Sequence, residues 1–136
     1  MGARARTFLT LLAIFVVVSL TGCSAKDGSG RTYTVRGQVT QLPDPANPGT
    51  GLYLNHEAID QFMSRDGEVV GMDPMTMSFQ VDEKLPLQDI QVGDVIEFDL
   101  RVDWDADTEV EIVRIRELPP GTKLQFRAAQ PKKEAK

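Results

Sequence analysis

Apolar and polar residues alternate over five short stretches of the chain, and a period of two predicts β-strands. The clearest stretch is 75–81, where Met75, Met77, Phe79 and Val81 share one side and polar residues take the other. The same pattern predicts four further strands, over 32–42, 52–56, 95–104 and 110–118. A run of turn-forming residues at 43–51 separates the first two strands.

Local irregularities are predicted within and between these strands. Gly37 indicates a bend or a close backbone approach in the first strand. Adjacent Ile112 and Val113 indicate a bulge in the fifth, because the inward parity changes there. Residues 57–63 are predicted to form one short helical turn, and 64–71 a loop or a small hairpin.

Together these elements predict an all-β fold, a small five-stranded barrel of OB type over residues 32–118. An open five-stranded sandwich is the competing architecture. Pro119 and Pro120 end the fifth strand. The tail over 119–136, which begins with them, is polar and charged, and it is expected to be disordered.

The N-terminus resembles the signal of an exported bacterial lipoprotein. Arg4 and Arg6 precede an apolar stretch over 8–20, which is short for a membrane span. It ends in Leu20-Thr21-Gly22-Cys23, which resembles a lipobox and implies cleavage of residues 1–22 and lipidation of Cys23. An ordinary cleaved signal with an incidental cysteine is the alternative. Residues 23–31 are expected to be a flexible tether, so that the domain is lipid-anchored to a membrane and faces the periplasm or the extracellular side.

Charge and composition exclude several classes of function. Without the signal, 13 basic residues face 20 acidic ones, a formal charge of −7. So acidic a chain is typical neither of nucleic-acid-binding proteins nor of proteins that adsorb to anionic lipid. With one histidine and one cysteine, the chain also lacks the residues of a catalytic triad or a zinc hydrolase, so we expect it not to be an enzyme.

The methionines cluster beside the only histidine. Every methionine except Met1 lies between Met63 and Met77, and His56 ends the preceding strand. Met75 and Met77 are two residues apart and therefore leave the same face of their strand, which we expect to face inward. If the second and third strands pair, both methionines converge with His56 at one mouth of the barrel. Two thioethers and one imidazole form a neutral trigonal site that suits Cu(I) or Ag(I) and is poor for Zn(II).

Each of these residues also has an ordinary structural explanation. A histidine on an apolar face is most often a core residue, and methionines on an inward face commonly fill gaps in a core. Their coincidence at one end of the barrel favours a metal site. Two interpretations stay open for Met72, as a third thioether ligand or as a lid over the metal, while Met63 is either a plain hydrophobic anchor or a further ligand.

The residues from His56 through Met72-Asp-Pro-Met75-Thr-Met77-Ser-Phe79 resemble the CusF family of small periplasmic copper- and silver-binding proteins. The family pattern is a histidine at a strand end followed by Trp-Pro-x-Met-Thr-Met-x-Phe. The similarity extends to Val35-x-Gly37-x-Val39 and Val92-Gly93-Asp94-Val95, and it spans roughly residues 32–118. It implies a five-stranded OB barrel with His56, Met75 and Met77 as the metal ligands.

The chain departs from the family pattern in two respects. Met72 stands where the family has a tryptophan that shields the metal through a cation–π contact. The segment between His56 and Met75 is also about eight residues longer than in the compact members, with 64–71 as the insertion. Phe62-Met63 is an alternative counterpart of the Phe-Met pair found in some members, so the capping methionine is either Met72 or Met63.

The expected function is therefore that of a membrane-tethered copper chaperone or buffer outside the cytoplasm. It would hold Cu(I), or Ag(I), and pass it to a protein partner, either an efflux system or a copper enzyme. The alternative is an OB-type module that binds an envelope protein or ligand without metal, in which the methionines are core residues only.

Overall fold

A computed structural model describes residues 30–47 and 49–132. The expected signal peptide, the lipidation site at Cys23 and the tether up to residue 29 lie outside these residues. In the described part of the chain the structure has no helix, and none that could cross a membrane.

Five strands form a closed barrel. They are β1 (Arg31–Gln41), β2 (Leu52–His56), β3 (Met75–Val81), β4 (Val95–Val102) and β5 (Val110–Glu117). Around the barrel the order is β1-β2-β3-β5-β4, and β4 returns to β1. The all-β barrel predicted from the alternation is confirmed, and closure excludes the open sandwich.

The inward residues of the strands fill the barrel, as the alternation predicts. On β4 every second residue is buried, namely Ile96, Phe98, Leu100 and Val102. β1, β2, β3 and β5 contribute Val35, Val39, Leu52, Leu54, Phe79 and Ile112 to the same core. This continuous apolar interior stabilises the barrel and fixes the positions of the strand ends at its mouth.

The predicted bulge in β5 is confirmed. Asp99 pairs with Arg114 and the next residue, Leu100, pairs with Ile112, so Val113 is the extra residue on β5. The bulge lets Ile112 stay buried while the strand keeps its ladder with β4.

Between β2 and β3 the chain forms a hairpin, which we call the 59–72 hairpin. The backbone of Ile59 pairs with that of Met72, and Met63 pairs with Val69. The helical turn predicted for 57–63 is therefore wrong, whereas the small hairpin predicted for 64–71 is confirmed. The physical reason is that the amide of Ile59 donates to the carbonyl of Met72 across the hairpin, 2.9 Å away, and the buried Phe62 anchors the hairpin to the barrel.

β3 joins the barrel unequally on its two sides. Towards β2 it forms an antiparallel ladder of five residue pairs, from Leu52–Phe79 to His56–Met75. Towards β5 it is parallel, and only Gln80 and Val81 are paired. The methionine-bearing half of β3 is thus held mainly by β2.

After β5 the chain runs back along the outside of the barrel without regular secondary structure. The structure differs here from the expectation of a disordered tail over 119–136, because residues 125–131 form specific hydrogen bonds with the 59–72 hairpin and its flanks. Composition alone missed this, since the acceptors are carboxylates far away in the sequence.

Candidate metal centre

His56 occupies the last position of β2, between two neighbouring strands. It lies opposite Gly37 of β1 and opposite Met75 of β3, and its side chain is fully buried, with 0% exposure. A Cβ atom at position 37 would lie 2.9 Å from the carbonyl oxygen of Asn55 and 3.1 Å from the Cα of His56. The close approach predicted for Gly37 is confirmed, because a side chain here would press on the backbone of β2.

The imidazole of His56 has one satisfied nitrogen and one free nitrogen. Nδ1 lies 2.7 Å from the carbonyl oxygen of Glu57, and a carbonyl only accepts, so Nδ1 carries the proton in the neutral ring. Nε2 has no hydrogen-bond partner and is the one buried side-chain nitrogen or oxygen in the described residues without one. A buried polar atom left unpaired is destabilising, so its presence needs an explanation, and a functional role is one. Its lone pair is available to a metal ion.

Burial keeps this imidazole neutral. Desolvation lowers the pKa of His56 below its ordinary value, against a smaller opposing effect of the hydrogen bond to Glu57. A neutral imidazole is the form that ligates metals. The fold therefore keeps His56 in the neutral form that ligates metals, and burial is the main cause.

The same shift predicts a pH dependence of the metal-free protein. Since the folded-state pKa of His56 lies below the unfolded value of about 6.5, the unfolded chain takes up a proton first as the pH falls. The contribution to stability is therefore full above pH about 6.5 and is lost as the pH falls through the folded-state pKa, at up to about 1.4 kcal/mol per pH unit. We expect urea unfolding between pH 7.5 and 5 to show this loss in the wild type and not in His56→Leu, and equal slopes in both would contradict it.

The two candidate methionine ligands, Met75 and Met77, lie on β3 beside β2. Met75 is the direct cross-strand partner of His56, and Met77 faces Leu54, two residues further along. Directly opposed residues have Cβ atoms about 4.5–5.5 Å apart and diagonal ones about 7–8 Å, within reach of long side chains. The sequence analysis required that the second and third strands pair for these residues to converge, and β2 and β3 do pair.

Depth changes along this face of β3. Met75 is 45% exposed, Met77 is half-buried, and Phe79 is only 2% exposed. The expectation that Met75 is an interior residue is therefore wrong. Met75 is the first residue of β3 and lies at the rim of the barrel, where its side chain stays exposed. Phe79 forms the floor, with its ring edge-on to His56 at 5.8 Å between centroids. The three candidate ligands thus range from fully buried to openly accessible.

The two remaining methionines lie in different surroundings. Met72 precedes Met75 by three residues, is half-buried and packs against the core, with its backbone paired to Ile59. Met63 lies instead on the other arm of the 59–72 hairpin and lines a cavity of about 220 Å³ with Tyr33 and Trp104. Met72 thus lies three residues before Met75 on the arm that enters β3, whereas Met63 lines a different cavity.

Trp104 belongs to the same separate cluster. Its ring meets Phe62 edge-on at 6.3 Å and lies beneath the guanidinium of Arg65 at 5.4 Å. It follows β4 at the end that pairs with Arg31, six residues along β1 from Gly37, or about 20 Å at the rise of a strand. A role as the aromatic cap of the His56 site does not fit this position.

Sequence reasoning missed the support around His56. The side chain of Glu57 accepts two hydrogen bonds from Arg36, at 3.0 and 2.9 Å, and its amide donates to the carbonyl of Arg36. Glu57 is therefore fixed from two sides, and so is the carbonyl that holds Nδ1 of His56. The sequence carries no signal for this contact, because His56 bonds to the backbone carbonyl of Glu57 and not to its side chain.

The candidate ligands at this end of the barrel, His56, Met75 and Met77, are uncharged, and the thioether donors are soft. Within 30–47 and 49–132, no three His, Cys, Asp or Glu side chains gather where they could hold a metal ion together. One imidazole nitrogen with thioether sulfurs is a set that suits a soft monovalent ion. The unpaired Nε2 of His56, opposite Met75, fits such an ion.

Comparison with known proteins gives one match. A family model described as "Copper binding periplasmic protein CusF" matches residues 32–117, well over half of the chain. The match includes nearly all of β1, the whole of β2 to β5 and the 59–72 hairpin. No curated protein and no solved structure matches.

Proposed function

The chain belongs to the CusF family of copper-binding periplasmic proteins, and from this premise we propose that it is a carrier of Cu(I), and of Ag(I), which it passes to a protein partner without catalysing a reaction. The ligands in this proposal are Nε2 of His56 and the sulfurs of Met75 and Met77. The observation that supports it most directly is the buried, unpaired Nε2 of His56 directly across the strand pair from Met75.

The depth of the ligands suggests how metal would enter and leave. His56 is inaccessible and fixed by Glu57, so it serves as the anchor of the site. Met75 is exposed, so an incoming donor from a partner reaches the metal on that side. Because all three donors are neutral and no thiolate takes part, stepwise ligand exchange is favoured over permanent storage. The acidic surface of the chain adds a general attraction for cations.

Met72 is assigned the role of a cap in this proposal. It is half-buried against the core, three residues before Met75. In this role its side chain would cover the site without binding the metal. Met63 is assigned a structural role, since it lines the cavity with Tyr33 and Trp104.

X-ray absorption at the copper edge of the Cu(I)-loaded protein tests the ligand set. We expect a shell of two sulfurs and one nitrogen, unchanged in both Met72→Leu and Met63→Leu, because neither residue is a ligand. Met72→Leu should nevertheless speed metal release to a competing chelator, and Met63→Leu serves as the matched control. Loss of one sulfur in Met72→Leu would make Met72 a ligand and contradict the trigonal set. If the wild type retains no Cu(I), the proposal fails and a metal-free binding module takes its place.

We also propose that the carrier is tethered to a membrane through lipid on Cys23, from where it meets its efflux or delivery partner. The support is the lipobox-like Leu20-Thr21-Gly22-Cys23 in the sequence. The mass of the mature N-terminal peptide tests this directly, since an unmodified Cys23 in the cell-envelope protein would exclude the tether.

A further inference from the structure

The C-terminal segment 125–131, which we call the strap, is bound across the 59–72 hairpin. The amide of Gln125 donates to Oε1 of Glu57 at 2.6 Å. Both terminal guanidinium nitrogens of Arg127, Nη1 and Nη2, donate to the carboxylate of Asp60, at 2.9 and 2.6 Å. The strap is therefore fixed to the arm of the hairpin that leaves β2.

The strap is also fixed to the other arm, which enters β3. The amide of Ala129 donates to Oδ1 of Asp73 at 2.8 Å. Next to this contact a Cβ atom at Gly71 would lie 3.0 Å from the Cβ of Ala129 and 3.3 Å from the Cδ of Pro131. The strap thus packs closely on Gly71 and spans both arms of the hairpin.

Its attachment points lie next to the proposed ligands. Glu57 follows His56 and supplies the carbonyl that holds Nδ1, and Asp73 precedes Met75 by two residues. The oxygen of Glu57 that accepts from Gln125 also accepts from Arg36. The strap, Glu57 and the His56 ring consequently form one chain of contacts that reaches from the surface to the buried nitrogen.

The bonds that hold the strap are charged but exposed. Hydrogen bonds from Arg127, and from the amide of Gln130, lower the pKa of Asp60 to about 2, so this ion pair stays charged at neutral pH. Exposed ion pairs contribute little to stability, and the strap has no strand or helix of its own. We therefore expect the barrel to stay folded when the strap detaches.

We propose that the strap is a positioning element of the metal site, which ties the two ligand-bearing arms together and thereby slows the release of bound metal. The inference rests on the proposed function, because it concerns the residence of metal at His56. It also accounts for why the chain continues past β5 and returns to the mouth of the barrel. A partner that displaces the strap would speed transfer without touching the ligands.

The test uses the full chain with Arg127→Gln, which removes the ion pair with Asp60. Arg116→Gln is the matched control, because it removes an exposed ion pair with Glu97 on the β4–β5 wall. We expect the amides of Gln125, Ala129 and Gln130 to exchange about two- to fivefold faster in Arg127→Gln only. Transfer of Cu(I) to a competing chelator should quicken by a similar factor, about two- to fivefold, in the same variant, with an unchanged melting temperature.

A second variant, Gln125→Pro, removes the amide that donates to Glu57 and should speed metal release in the same way. Faster amide exchange together with wild-type release rates would overturn the inference, as would unprotected amides in the wild type. If the wild type binds no Cu(I), the proposed function falls, and the strap is then judged on the metal-free protein. There the NMR signals of the His56 ring should shift in Arg127→Gln and not in Arg116→Gln, and equal spectra would refute the coupling.

Discussion

The Met75→Leu/Met77→Leu double variant is expected to lose at least about a hundredfold in Cu(I) affinity while keeping its fold. Loss of a residue that merely supports a metal ligand already weakens binding about 10–100-fold, and this variant removes two of three proposed donors. Leucine conserves the volume of methionine, and such exchanges cost less than about 1.5 kcal/mol even in a core. Titration against a competing Cu(I) chelator measures the affinity, and thermal unfolding of the metal-free form measures the fold.

Met63→Leu is the matched control for the double variant. It makes the same chemical change on the 59–72 hairpin, but in the cavity with Tyr33 and Trp104, so its Cu(I) affinity should equal that of the wild type. Unchanged affinity in the double variant would remove the methionines from the site and leave them as rim and core residues only.

Phe79→Ala is expected to have the largest effect on stability, about 3–5 kcal/mol in the free energy of unfolding. The ring is 2% exposed and forms the floor between the core and the site, 5.7 Å from the ring of Phe98 and 5.8 Å from that of His56. Its removal leaves a cavity that the closed barrel cannot collapse to fill. Because the cavity adjoins His56, Cu(I) affinity should fall as well. Urea unfolding and the chelator titration measure the two effects.

Phe126→Ala provides the comparison, since this ring is 50% exposed on the strap. Surface substitutions usually change stability by less than about 0.5 kcal/mol, so the difference between the two variants isolates the effect of burial. Similar losses in both would show that the barrel interior does not have the packing described above.

The sequence predicts the strands well because alternation reports which face a residue takes. The inward residues of β4 and the bulge at Val113 follow directly from that pattern. Alternation does not report depth, which is why Met75 is predicted inward and is found at the rim. The cross-strand pairing of His56 with Met75 needs only that β2 and β3 be neighbours, and consecutive strands usually are.

The failures of sequence reasoning share a physical cause. Residues 57–63 are predicted to form a helical turn, but the amide of Ile59 donates to the carbonyl of Met72, thirteen residues away in the sequence. The tail 119–136 is predicted to be disordered because it is polar and charged, yet within it the strap hydrogen-bonds to Glu57, Asp60 and Asp73, which are polar too. Contacts between polar residues that are far apart in the sequence produce no periodic pattern of apolar and polar positions, so the sequence does not predict them. Glu57 supports His56 through its backbone carbonyl. Every residue has such a carbonyl, so the residue type at position 57 does not predict the contact.

The unequal attachment of β3 has a consequence for motion in the barrel. Local opening of a protein begins where few backbone hydrogen bonds must break, and here that place is the parallel seam at Gln80 and Val81. The five-pair ladder to β2 carries His56, Met75 and Met77 together. If the barrel opens at this seam, we expect these residues to move together and to keep their register. Local opening of the barrel would then leave the relative positions of the three proposed ligands unchanged.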